Sequence, residues 1–326
     1  MNEKTKVSLV GLGRWGKNHL RVLHENLRDD VSIVVYDSSQ DVADYWGNFY
    51  NGITVAHNIN EAIDSTDATI IATPANSHFR IAREAIMSGN DVLIEKPLTI
   101  KTDGSTALIG DAYVARKNGK QPIAMVDHIL LYSEAVNKIM DIIESGEIGD
   151  PVYYRAERTH FGWAVPSETA VSSLMIHDIY TIEHLLGDKI YKLGNVSSVR
   201  NLDDVTAHGT MRNGTEFSLR ASWIDFNKSR TIQITGTKRT IVWDDDKKEI
   251  HIFPFSAGEK VVRGEGDTVV HKICQTIEPL EVVIRHFLNC VKTREEPLSG
   301  LIEGRYAVFT CSAIEAKARE EIKCTL

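Results

Sequence analysis

Cysteine is scarce in this chain: Cys274, Cys290, Cys311 and Cys324 are the only four in 326 residues, and no two form a CxxC pair. So thin a supply of thiols argues against a disulfide frame or a thiolate zinc site, and it fits a reducing compartment. A surplus of positive charge is missing too, since 37 basic side chains face 45 acidic ones, a formal net charge of −8. That balance speaks against a nucleic-acid binder, which needs a basic patch. It also speaks against docking on an anionic membrane. No apolar run approaches the roughly 18 residues that cross a bilayer. The opening residues Met1–Lys6 are polar, unlike a signal peptide. Repeats and low-complexity stretches are absent from the sequence as well. The expectation is a cytoplasmic protein of two domains, at about 150 residues per domain.

What is present is regular alternation. Val7–Val10, Val31–Tyr36, Thr69–Ala72 and Val92–Glu95 are short β-branched runs of the length buried parallel strands have. Helix-like segments lie between them at Trp15–Asn26, Ser39–Phe49 and His78–Ser88, the last stopped by Gly89-Asn90. Strand–helix alternation builds βαβ units and a doubly wound parallel sheet of the Rossmann type. The pattern changes near Gln121-Pro122. A helical stretch, Ser133–Glu144, precedes runs of period-two alternation, and Asn213-Gly214 between two of them signals a hairpin. Thr231–Thr235, Thr240–Trp243 and Glu249–Phe253 continue the series, and helices at Leu280–Lys292 and Leu301–Glu321 close the chain. The fold class read from this is α/β: a Rossmann domain over 1–122 and an α+β domain over 123–326. The second has an open, largely antiparallel sheet, and its last helix packs back on the first domain.

Gly11-Leu12-Gly13-Arg14-Trp15-Gly16 follows the first strand and opens the first helix. A GxGxxG alone is weak, because glycines also serve ordinary turns. In this context each glycine has its own part, with a tight turn at Gly11, close approach to a pyrophosphate at Gly13 and helix–strand packing at Gly16. The helix N-terminus then offers partial positive charge to the phosphates. Asp37 ends the second strand about 20 residues after Gly16, where a carboxylate accepts the adenine-ribose hydroxyls and repels a 2′-phosphate. The neighbouring Ser38-Ser39-Gln40 supplies no arginine for that phosphate, so the expected cofactor is NAD rather than NADP.

Glu95-Lys96-Pro97 closes the fourth strand, and ligands of doubly wound sheets bind beyond the carboxyl ends of strands. An ammonium at Lys96 can hydrogen-bond a substrate hydroxyl and stabilise its developing alkoxide. On a surface, a lysine would mean nothing of the kind. His177, in Ser173-Leu-Met-Ile-His177-Asp178, stands before an amphipathic run. A lone histidine beside apolar residues is usually a core residue; its case as a general base rests on a pKa near operating pH. No histidine shows metal-ligand spacing with acids or thiols, and no metal site is expected.

With these pieces assembled, the chain resembles the glucose–fructose oxidoreductase / inositol dehydrogenase / MocA family over nearly its whole length. The matching residues are Gly11–Gly16 with Asp37, the Thr73-Pro74 and His78 stretch, and Glu95-Lys96-Pro97. Further on come Glu144 to Gly149 and His177-Asp178 before Leu185-Leu186-Gly187. The tail, with Glu278-Pro-Leu280, His286 to Cys290 and Glu296-Pro-Leu298, resembles the branch acting on UDP-N-acetylhexosamines or uronates as 3-dehydrogenases. The resemblance implies hydride transfer between NAD and a sugar or nucleotide-sugar carbinol, with Lys96 holding the hydroxyl and His177 exchanging its proton. It implies a cofactor set of Gly11, Leu12, Gly13, Arg14, Trp15, Gly16, Asp37, Ser38, Thr73, Pro74, His78, Glu95 and Lys96. A homo-oligomer, dimer or tetramer, formed through the second domain's sheet is implied too.

One departure stands out. Many members of the family carry an aspartate four residues before this histidine, where Ser173 stands here. A hydroxyl orients an imidazole less strongly than a carboxylate does. Three outcomes are open: His177 works alone with Lys96, Asp178 or another acid orients it, or the substrate or turnover has changed. The segment Arg158–Trp163 is a further candidate for meeting substrate, through Arg158 or His160, against surface salt-bridging. The competing functions are a sugar dehydrogenase, a keto-sugar reductase, and a cofactor-binding sensor without turnover.

Overall fold

The computed structural model describes residues 4–162, 164, 168–257, 261–263 and 267–325. By its internal contacts the chain divides into two compact units, residues 1–129 with 277–308, and residues 130–276 with 309–326. The first unit follows the alternation read from the sequence: β1 (Thr5–Val10), α1 (Gly16–Asn26), β2 (Val31–Tyr36), α2 (Gln40–Phe49), β3 (Thr54–Val55), α3 (Ile59–Asp64), β4 (Ala68–Ile71), α4 (Ala75–Ser88), β5 (Asp91–Glu95), α5 (Thr102–Lys117) and β6 (Ala124–Asp127). The strands lie in the order β3-β2-β1-β4-β5-β6, all parallel. The order reverses between β1 and β4, and the crevice beyond their carboxyl ends is where such sheets bind ligands.

Burial explains why these runs are strands. Every residue of β4 and β5 is buried, as are Val7 to Val10 of β1. Such strands need helices on both sheet faces, which the βαβ crossovers supply. One core cluster packs Val10, Ile71, Ile94 and Val126 against Ile81, Ala85 and Ile86 of α4 and Leu108 of α5.

The sequence boundary at 122/123 differs from this division. Residues 123–129 stay with the first unit because β6 pairs with β5, and Val126 N–H donates to Ser299 O at 2.8 Å. Residues 277–308 join it too. They include the helix Pro279–Thr293, α8 in chain order. Its start is anchored by a bidentate pair, Arg21 donating to Glu278 at 2.9 and 2.8 Å.

The second unit contains α6 (Glu134–Glu144), β7 (Pro151–Thr159), one π-turn (Val171–Met175), α7 (Ile176–Leu186), β8 (Ile190–Val199), β9 (Asp204–Met211), β10 (Glu216–Ser222), β11 (Ser229–Gly236), β12 (Arg239–Asp244), β13 (Glu249–Ala257), β14 (Val261–Arg263) and β15 (Val269–Lys272). Its strand order is β14-β13-β12-β11-β7-β10-β9-β8, with β15 also on β13. All pairs are antiparallel except β7 with β10. Asn213-Gly214 turns β9 into β10 as expected. Alternation along β7 buries Tyr154, Ala156 and Arg158 on one face and leaves Arg155 and Glu157 on the other. Helix α9 (Leu301–Thr325) starts in the first unit and ends in the second.

Candidate functional site

The three glycines after β1 meet three different surroundings. Gly11 has a φ of +94°, and a Cβ there would lie 2.8 Å from the Ala72 carbonyl oxygen. At Gly16 a Cβ would lie 1.9 Å from the Gly11 carbonyl oxygen, a contact no side chain survives. At Gly13 a Cβ would meet nothing within 4 Å among the described residues. Turn, packing and open approach are thus divided among the glycines as a pyrophosphate cradle requires. Leu12 is buried, while Arg14 and Trp15 are exposed at the turn. Among the described residues no side chain caps α1, and its first turn carries no acid, which suits an anion at the helix N-terminus.

Asp37 is tied to this loop. Its carboxylate accepts from Leu12 N–H at 2.7 Å and from Ser39 N–H at 2.9 Å, with the exposed Ser38 hydroxyl at 3.5 Å. A carboxylate offers about four lone-pair sites, so acceptor capacity remains for ribose hydroxyls. Across the crevice, Thr73 and Pro74 lead into α4, and the Ser77 hydroxyl donates to Thr73 Oγ1 at 2.7 Å. His78 is buried. Its two ring nitrogens lie 2.8 Å from the carbonyl oxygens of Thr73 and Pro97, so it ties the turn after β4 to the turn after β5.

Lys96 sits half-buried where β5 ends, and its N–H donates to Glu95 Oε2 at 3.2 Å. Glu95 faces Asp127 across the β5–β6 ladder. His19 of α1 reaches both carboxylates, with Nε2 at 3.0 Å from Glu95 Oε1 and 3.7 Å from Asp127 Oδ2. All three are buried. Among the described residues this trio has metal-ligand types within 4.8 Å of one another. A metal-bound imidazole nearly always donates its other N–H to a partner, whereas His19 Nδ1 has no hydrogen-bond partner among the described residues. Among those residues the trio therefore lacks the second imidazole bond that a metal-ligating histidine carries.

Burial pushes the Asp127 carboxyl well above the ordinary carboxylate range; Glu95 adds to the rise and the Lys96 ammonium opposes it. A carboxyl whose folded pKa is raised binds its proton more tightly in the native state. Native stability then falls as pH climbs from about 4, the unfolded value, through the folded one, at up to ~1.4 kcal/mol per pH unit. Asp127→Asn imitates the protonated form. It is expected to raise the midpoint of thermal unfolding at pH 8 relative to the parent, with little difference at pH 4. Parallel pH curves for the two proteins would remove the proton from Asp127.

In the second unit, His177 is half-buried in the first turn of α7. Its Nδ1 lies 2.6 Å from the Tyr180 hydroxyl. Asp178 turns elsewhere: Arg158 donates to both of its oxygens, at 3.1 and 2.8 Å, and both side chains are buried. Burial pushes the Asp178 carboxyl up, and Arg158 offsets this only in part. Two sequence readings change here. Asp178 is spent on Arg158 rather than on orienting His177. Arg158, 8% exposed, makes a buried ion pair rather than a surface one. The gain from burying this pair is small, but removing one partner leaves a buried charge and costs ~3–5 kcal/mol. Ser173 is buried within the π-turn, its N–H donating to Thr169 O at 2.9 Å. Trp163 lies outside the described residues.

Known proteins resemble this chain most plainly at the level of the family. The profile described as an oxidoreductase family with an NAD-binding Rossmann fold matches residues 5–126, and the GFO/IDH/MocA C-terminal domain profile matches residues 136–242. The chain belongs to the GFO/IDH/MocA family. It is thus an NAD-binding oxidoreductase, and its GxGxxG loop, Asp37 and bare helix terminus fit that cofactor. Among curated members, UDP-N-acetylglucosamine 3-dehydrogenase of Acidithiobacillus ferrooxidans is 27% identical over 252 residues, 76% of this chain and 77% of the relative. The solved structure of that enzyme superposes with a TM-score of 0.82 at 22% identity, covering 97% of this chain and 98% of the other. Levoglucosan dehydrogenase in complex with NADH and levoglucosan superposes with a TM-score of 0.83 at 18% identity, covering 98% of each chain. At those identities the two superpositions establish the shared fold. No described helix is long and apolar enough to cross a membrane.

Proposed function

We propose that this chain oxidises a secondary alcohol of a sugar to a ketone with NAD, and that its substrate is a nucleotide sugar of the UDP-N-acetylhexosamine or uronate class, oxidised at C3. The observation that carries the reaction type is Lys96, half-buried at the end of β5 beside buried carboxylates in an NAD-binding Rossmann unit. Support for the substrate class comes from the 27% identical UDP-N-acetylglucosamine 3-dehydrogenase.

Bound NAD supplies the hydride acceptor. The residues of this chain do the rest. The Gly11–Gly16 loop receives the pyrophosphate, with Trp15 and Arg14 at its rim, and Asp37 with Ser38 accepts the adenine ribose. Thr73, Pro74 and Glu95 line the cofactor, and His78 steadies the turns on which Thr73 and Lys96 stand. The Lys96 ammonium hydrogen-bonds the reacting hydroxyl and stabilises the alkoxide as the proton leaves. His177 receives that proton. The carbinol carbon gives up its hydrogen with two electrons, and the oxygen gives up a proton, so the product is a ketone.

The test is absorbance at 340 nm with NAD, under anaerobic conditions, across UDP-N-acetylhexosamines, UDP-uronates, free hexoses and inositols. A rise with a UDP-sugar is expected. A rise with free hexoses or inositols alone would overturn the nucleotide-sugar assignment, and silence across the panel would overturn the dehydrogenase. Cofactor choice has its own check. Asp37→Ala is expected to weaken NAD binding about tenfold, ~1.4 kcal/mol, while relaxing discrimination against NADP. An unchanged NAD-to-NADP ratio in calorimetry would remove the ribose contact.

A further inference from the structure

His177 and Tyr180 lie one turn apart on α7, a spacing that places both side chains on one helix face. The Tyr180 oxygen is 2.6 Å from His177 Nδ1, and the Leu130 N–H donates to it at 3.4 Å. Tyr180 itself is 3% exposed. The ring planes cross at 70°, with centroids 5.6 Å apart, so the pair meets edge to face and the hydroxyl reaches the imidazole edge.

We propose that Tyr180 is the positioning residue for His177: its phenol holds Nδ1 and so assigns the exchange of the substrate proton to Nε2. This rests on the proposed role of His177 as proton acceptor. A phenol carries one O–H and two lone pairs. The Leu130 N–H takes one lone pair, and the other suits the Nδ1–H of the imidazole. For Nε2 to receive a proton it must be bare, so the neutral ring carries its hydrogen on Nδ1, and the Tyr180 oxygen accepts from Nδ1–H both before and after the transfer. When Nε2 gains a proton, the Nδ1–H to Tyr180 bond becomes charge-assisted and strengthens. No heavy atom has to move between the two protonation states. A carboxylate in this place would also accept, and would hold a proton on the ring by its charge. Tyr180 orients the ring without adding that charge. Asp178 does not compete for the role, because Arg158 occupies both of its oxygens.

Tyr180→Phe keeps the ring and removes the hydroxyl. Two readouts test the proposal. The first is the ¹⁵N chemical shift of the His177 ring nitrogens, read by two-dimensional NMR of the NAD-loaded enzyme, with His184, further along the same helix, as internal reference. The Nδ1 resonance of His177 is expected to move, while His184 stays in place. The second is steady-state kinetics, in which kcat is expected to fall about tenfold with the KM for NAD within twofold. An unmoved His177 Nδ1 resonance would overturn the proposal. So would a shift of His177 and His184 together, which marks a displaced helix and a merely structural tyrosine. If no sugar is turned over by the parent enzyme, the dehydrogenase reading fails, but the NMR arm still decides whether Tyr180 sets the His177 ring.

Discussion

Lys96→Ala is expected to lower turnover by about 10³-fold, the scale on which removing one donor from a developing oxyanion acts. The lysine stem is half-buried and its backbone N–H is bonded to Glu95, so truncation leaves the turn after β5 in place. NAD affinity should therefore remain within a few-fold of the parent, measured by calorimetry on the same preparation. The two numbers together distinguish chemistry from binding. A mutant with near-normal kcat would remove Lys96 from the reaction. One that fails to bind NAD would recast the residue as part of the cofactor cradle. Glu95→Gln is a less informative companion, because Glu95 also binds His19.

The second large effect separates two glycines of one motif. Gly16→Ala places a Cβ 1.9 Å from the Gly11 carbonyl oxygen, both of them backbone-bound and unable to rotate away. Either α1 moves off β1 or the Gly11 turn opens. We expect destabilisation of about 3 kcal/mol or more, at the upper end for overpacking, with NAD binding lost as well. Gly13→Ala meets open space. Its unfolding free energy should stay within ~0.5 kcal/mol of the parent, as for surface substitutions generally, while NAD binding weakens because the methyl occupies the approach of the pyrophosphate. Thermal melts and NAD titrations of the two variants give the contrast. Equal losses of stability would contradict the division of labour among the glycines.

The first unit was legible because its signals are local. A buried parallel strand is an uninterrupted β-branched run, and β2 begins and ends at the residues its run marks. The glycine loop, Asp37 and Lys96 are read from neighbours in sequence plus one topological rule. Helix α5 was not legible: Gly104 and Gly110 interrupt it, and it opens on Thr-Asp-Gly-Ser-Thr, which suits a loop as well as a helix. Strand β6 is four residues long and takes its place from pairing with β5. The allegiance of residues 277–308 to the first unit depends on contacts with α1, such as Arg21 to Glu278, more than 250 residues away in sequence. The same holds for the sites. Glu95 and Lys96 could be named from a motif, but His19 and Asp127 join them from α1 and β6 with no spacing to announce it. In the second unit Asp178 was the nearest acid to His177 along the chain, and the buried face of β7 brought Arg158 to claim it. Tyr180, three residues beyond the histidine, was within reach of an i,i+3 reading. A tyrosine on an amphipathic helix reads as core unless its hydroxyl has a partner in view.

If hydride leaves a sugar carbinol for NAD in this enzyme, the hydrogen of that carbon reappears in the reduced cofactor, and one isotope experiment reads it. UDP-N-acetylglucosamine carrying deuterium at C3 is incubated with the enzyme and NAD, and the reduced cofactor is weighed by mass spectrometry. Deuterated NADH, one mass unit heavier, is the expected product, with a primary isotope effect on the single-turnover rate. NADH formed without deuterium would place the oxidation at another carbon, and no NADH from this or any other UDP-hexosamine or UDP-uronate would contradict the proposed reaction.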